Sequence, residues 1–89
     1  MFFINGVRLD ENGEHIEFVR VRKIDSAVNF IVERLFIAQL ISSGVVFNAR
    51  FQKKGKWYTG AKVEVFGDIY LRANPNATAD DNLLSLTRV

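Results

Sequence analysis

The chain has 89 residues, of which 48% are hydrophobic and 25% charged, a length and composition that suit one compact domain over 1–89 and exclude intrinsic disorder. One proline and six glycines exclude collagen-like or linker-like chains, and the absence of cysteine removes disulfides, thiolate zinc sites and a cysteine nucleophile together. Twelve Lys and Arg against ten Asp and Glu leave a formal charge of +2, too small a total to argue by itself for a polyanionic partner. The start, Met1 to Gly6, has no positive leader region, and its apolar run is too short for a signal peptide. The longest apolar segment, Ala27 to Ile41, carries Glu33 and Arg34 and falls short of the ~18 apolar residues of a membrane span. The expectation is a cytoplasmic protein with no membrane contact.

Taken in chain order, Phe3, Val7 and Leu9 are placed on one strand face, and Ile16, Phe18, Val19 and Val21 populate a second strand. Asp10-Glu11-Asn12-Gly13 turns between them, with glycine at a position that favours the left-handed conformation. Adjacent Phe18 and Val19 break the alternation, which a bulge or burial on both faces would explain. Asp25 or Ser26 can cap a helix over Ala27–Ile41, and Ser42-Ser43-Gly44 stops it. Two alternating strands follow, Val45–Phe51 and Trp57–Val65, joined by the polar loop Lys53-Lys54-Gly55-Lys56. A short strand over Ile69–Leu71 precedes the turn Asn74-Pro75-Asn76, and Thr78 and Asp81 precede a short helical segment with Leu83, Leu84 and Leu86. The predicted fold is α+β, β-β-α-β-β-β, an antiparallel sheet of four to five strands on one main helix with a C-terminal helical turn.

Catalytic chemistry has little to stand on. His15 is the only histidine, and it lies between Glu14 and Ile16 at a strand start with no serine in a matched motif. The segment Asp10–Glu14 imitates a calcium loop, but its glycine comes too early and Val19 stands where the ligating glutamate belongs. Asp80-Asp81 has a structural reason at a helix start. The reading is no enzyme, no cofactor and no metal.

Charge is segregated. No acidic residue lies between Glu33 and Glu64, a window that holds Arg34, Arg50, Lys53, Lys54, Lys56 and Lys62, whereas Asp10, Glu11, Glu14 and Glu17 gather in the first hairpin. Phe51 and Trp57-Tyr58 flank the lysines, so one reading is weak nucleic-acid binding by Arg50, Lys53, Lys54, Lys56, Tyr58 and Lys62. Alternation puts Trp57 on the face of Val63 and Val65, hence in the core, and leaves Tyr58 as the one aromatic of the three on the polar face. The other reading starts from the helix. Eleven of the fifteen residues from Ala27 to Ile41 are apolar. On a helical wheel, Ala27, Phe30, Ile31, Leu35, Ala38 and Ile41 face the sheet while Val32, Phe36 and Leu40 line a second side beside Gln39. An interface of Val32, Phe36, Gln39 and Leu40 that builds a homodimer would cover that stripe, as would the C-terminal leucines folded back.

The ending Tyr70-Leu71-Arg72 through Asp81-Asn82-Leu83-Leu84-Ser85-Leu86 resembles that of a family of small bacterial proteins of unknown function, which close on Tyr-Leu-Arg, a turn and Asp-Asn-Leu. The helix end Ser43-Gly44, Phe47 and the strand around Val63 and Val65 fall in similar order, so the resemblance spans roughly the last two-thirds of the chain. Thr87 stands where proline is common in the family, and both the helix and the basic hairpin read longer here. The resemblance implies a small α+β domain without an assigned activity and carries over no functional residue. Physically, Arg72, Asp80, Asp81 and Asn82 suit a structural clasp. The leading expectation is a non-enzymatic module that binds another macromolecule and self-associates through its helix, with a nucleic-acid binder or an inhibitor of a host or phage nucleoprotein as alternatives.

Overall fold

The computed structural model describes residues 1–67, 69–73 and 82–89. The elements run β1 (Phe2–Leu9), β2 (Ile16–Lys23), β3 (Asn29–Glu33), α1 (Arg34–Ser42), β4 (Phe47–Lys53), β5 (Lys56–Phe66), β6 (Tyr70–Ala73), a short 3₁₀ helix (Leu83–Ser85) and β7 (Thr87–Arg88). The chain is α+β, but the sheet is larger than expected and mixed. Its strands lie in the order β3-β2-β1-β4-β5-β6, with β7 also on β1. β1 runs antiparallel to β2 and parallel to both β4, at Phe2–Ile4, and β7, at Gly6–Val7. The parallel pair arises because α1 carries the chain from the edge at β3 across to the other side of β1.

The expected helix over Ala27–Ile41 divides in two. Asn29–Glu33 pairs antiparallel with β2, setting Val32 opposite Val19 and Phe30 opposite Val21. β-branched and aromatic residues fit that pleated edge better than a helix, whereas Arg34–Ile41 is made mostly of helix formers. Asp25 and Ser26 therefore do not cap a helix. Asp25 turns with φ 68°, and the Ser26 hydroxyl accepts from the Val28 amide at 3.1 Å. The helix stop is where glycine put it: Ser43 follows the last helical residue, and Gly44 has φ 100°.

Three bulges set which side chains meet. On β1, Asn5 is an extra residue between the pairs Ile4–Val21 and Gly6–Arg20. The phase change puts Ile4 and Val7 in the core and sends Phe3 to the opposite face, which corrects the placement of Phe3 with Val7. On β2, Glu17 is extra between the partners of Arg8 and Leu9, so the Phe18-Val19 irregularity is a bulge. On β5, Gly60 and Ala61 together oppose Ala49, between the pairs Arg50–Thr59 and Asn48–Lys62.

The core is one cluster, with Ile4, Val7, Val19, Ile37, Phe47, Ala49 and Val63 almost wholly buried and Leu83 and Leu86 closing it. Two of the C-terminal leucines thus dock in the core itself while Leu84 stays exposed. The Asn82 side chain caps their 3₁₀ turn by accepting from the Leu84 amide at 2.9 Å. Both helical segments pack on this core face. The sheet curls around α1 until its distant strands meet, His15 before β2 stacking on Tyr70 of β6 with ring centroids 4.5 Å apart.

Candidate interaction surfaces

Three regions hold the residues singled out from the sequence. The first is apolar. Phe36 on α1 is 57% exposed and Gln39 is exposed, but Val32 and Leu40 are half-buried against the core, so the helical stripe does not form. Splitting the helix exposes a different set of apolar side chains, Phe30 on the side of Val21 and Ile31 on the side of Arg20. Phe30 (55% exposed) and Ile31 (46%) on β3, with Val28, Leu35 and Phe36 beside them in the chain, leave one short segment with five large apolar side chains in water. Among the described residues β3 pairs with β2 alone, so its outer edge is an unpaired strand edge. The position of that edge is fixed from within the sheet. Asn5 is the only buried polar side chain described, and its Nδ2 donates to Asn29 Oδ1 at 3.1 Å while its Oδ1 accepts from Arg20 Nε at 2.7 Å.

The second region is cationic and differs in composition from the expected one. Lys53 ends β4 and Lys56 begins β5, joined by Lys54 and Gly55, both with positive φ as in a two-residue hairpin turn. The tip lysines are exposed. Because of the β5 bulge, Trp57 lies opposite Gln52 and Thr59 opposite Arg50, on the face away from the core, and Trp57 is 44% exposed. Tyr58 instead stacks on Phe51 at 5.6 Å on the core side of the hairpin, so the two aromatics exchange the places expected of them. Arg50 and Lys62 share the outer face with Arg20, Arg22 and Arg8, which come from β1 and β2. Arg50 lies 4.9 Å from the ring of Phe3 and donates to the Thr59 hydroxyl at 2.6 Å. Arg22, Arg50, Phe3 and Thr59 line an open groove of about 550 Å³ with Met1, Ile24 and Asp25.

The third region gathers the ends of the chain. A cavity of about 150 Å³ is lined by His15, Arg34, Tyr70, Arg72, Asn82 and Leu83, among others. Arg34 enters it from the apolar run 27–41, where no local pattern marks it. Its guanidinium lies 5.0 Å from the Tyr70 ring and donates to the Ile16 carbonyl at 3.0 Å, while its buried Nε has no partner among the described residues. The site is mainly an arginine–tyrosine–histidine stack that ties β6 to the start of β2. Arg72 pairs with Glu64 at 3.7 Å, and Asp80 and Asp81 of the expected clasp lie outside the described residues. Among the described residues no three potential metal ligands cluster. The acidic hairpin turn is internally satisfied: the Asp10 carboxylate accepts from the Glu14 amide at 3.0 Å, a bond that holds its pKa below the ordinary aspartate value.

No family model matches the chain, and neither a curated protein nor a solved structure is significantly similar to it. No helix among the described residues is long and apolar enough to cross a membrane.

Proposed function

We propose that the chain is a non-catalytic interaction module that pairs with a second copy of itself through the outer edge of β3 and the first turn of α1. The observation that supports this is the unpaired edge carrying Phe30 and Ile31, continued by exposed Leu35 and Phe36. Natural sheets blunt such edges with central charges, proline or a covering element; here the only charge on the strand is Glu33 at its end. An antiparallel pairing about a two-fold axis through Ile31 sets Phe30 opposite the partner's Val32, and Asn29 opposite the partner's Glu33. No like charges are opposed, and the same patch serves both copies, as a two-fold interface requires.

The test is sedimentation of the wild type beside Ile31→Lys and Phe36→Glu. Concentration-dependent dimerisation that either substitution weakens supports the reading; a folded wild type that is monomeric throughout overturns it. The ending Tyr70-Leu71-Arg72 and Asn82-Leu83 supports placing the chain beside small bacterial α+β proteins of unknown function, and the cysteine-free composition fits a reducing cytoplasm.

A further inference from the structure

We propose that the face of the sheet turned away from the core binds single-stranded nucleic acid, with Arg22 and Arg50 holding phosphate in the groove beside Phe3 and Trp57 stacking on a base. This surface differs from the lysine-rich hairpin tip that the sequence alone suggests. It rests on the β5 bulge, which brings Trp57, Thr59 and Lys62 to the same face as Arg20, Arg22 and Arg50. Three carboxylates lie near it: Glu33 at the end of the edge strand, Asp25 at the rim of the groove, and Glu64, which follows Lys62 on the same face and is paired with Arg72 at 3.7 Å.

The chemistry is complementary to a phosphate strand. Among the described residues neither Arg22 nor Arg50 has a carboxylate partner; Arg22 Nε donates to the Ser26 carbonyl, and Arg50 is oriented by Thr59 and by the Phe3 ring. A guanidinium has five donors, so each retains N–H groups for an anion. Trp57 stands two residues along β5 from Thr59, roughly 7 Å away, and exposes an indole that no ring within the described residues covers. Arginines that fix phosphate beside an aromatic platform are how single strands are bound without reading sequence. A duplex offers Trp57 no unstacked base, which is why the single strand is the occupant.

The chain has one tryptophan, so its fluorescence reports directly on the proposed contact. Titration with a short oligothymidylate at low salt is expected to quench Trp57. Trp57→Ala should weaken binding, followed by anisotropy of a labelled strand, by about tenfold, while Trp57→Phe should largely restore it. Changing Arg22 and Arg50 to alanine together should lower the slope of log affinity against log salt by about 1.4, or ~0.7 for each phosphate contact. Lys54→Glu with Lys56→Glu, at the exposed turn, should change affinity less than the two arginine substitutions. Circular dichroism establishes that each variant is folded. Binding without quenching overturns the proposal, as does loss of binding in the tip variant alone. Polyglutamate competing as well as the oligonucleotide overturns it in favour of an acidic protein partner.

Discussion

Asn5 is the residue through which the interior of the sheet sets its exposed edge. The side chain is 6% exposed and joins β1 to both β2 and β3: Arg20 Nε donates to its oxygen at 2.7 Å, and its amide donates to Asn29 at 3.1 Å. Asn5→Ala removes one hydrogen bond assisted by charge, of about 1.5–3 kcal/mol, and one neutral bond of about 1 kcal/mol. Arg20 is half-buried and regains part of its hydration, so the net cost is about 2 kcal/mol. For a domain of this size that lowers the melting temperature by roughly 8–16 °C. Asn29→Ala removes only the neutral bond, and because Asn29 is exposed water can take its place on the freed Asn5 amide, so the cost should be about 1 kcal/mol, or roughly 4–8 °C. Thermal unfolding followed by circular dichroism measures both. Amide exchange across 29–33 should also quicken in the Asn5 variant. Equal melting temperatures for Asn5→Ala and wild type, or equal losses in the two variants, would refute the reasoning that a charge-assisted bond anchors the edge.

Gly6→Ala tests the docking of β7, since a Cβ there would meet Val89 Cγ1 at 2.8 Å and the Thr87 carbonyl at 3.2 Å; a loss of about 1–3 kcal/mol in denaturant unfolding is expected, with faster exchange at Val89, whose amide donates to Val7. Leu83→Ala should cost about 2–4 kcal/mol, because Leu83 is 2% exposed within the core cluster, whereas Leu84→Ala should be nearly neutral. The lowered pKa of Asp10 contributes stability that is present above its unfolded value and lost as pH falls through the folded one. The difference in melting temperature between wild type and Asp10→Ala should therefore be constant near neutrality and shrink below about pH 4; a difference independent of pH would contradict the Asp10–Glu14 turn.

The elements most legible in the sequence were those marked by local chemistry. Asn12-Gly13, Gly44 and Lys54-Gly55 mark turns because glycine accepts a positive φ, and the two hairpins and the helix end lie at those marks. The segment 27–41 reads as one helix because an apolar run without alternation fits both a buried helix and a strand packed on an apolar neighbour. Only the pairing of Val32 with Val19 and of Phe30 with Val21 decides it, and that is a contact between distant parts of the chain. The cationic face was hidden for a related reason. One extra residue in β5 inverts the alternation, so Trp57 leaves the face of Val63 and joins Arg50. β7, with only two paired residues, has no periodicity to read. Arg34 lay inside the apolar run, and its place beside Tyr70 depends on the sheet curling back on itself.

Association through the β3 edge and the first turn of α1 would be a reversible equilibrium between one chain and two. Sedimentation equilibrium over a wide concentration range tests it most directly. The expectation is a mass rising from 10.2 kDa toward twice that value. Ile31 and Phe36 are each about half exposed, so a two-fold interface loses about 2 kcal/mol per substitution, and Ile31→Lys or Phe36→Glu should weaken association about thirtyfold. A folded wild type that holds a single mass of 10.2 kDa at every concentration would rule out the dimer.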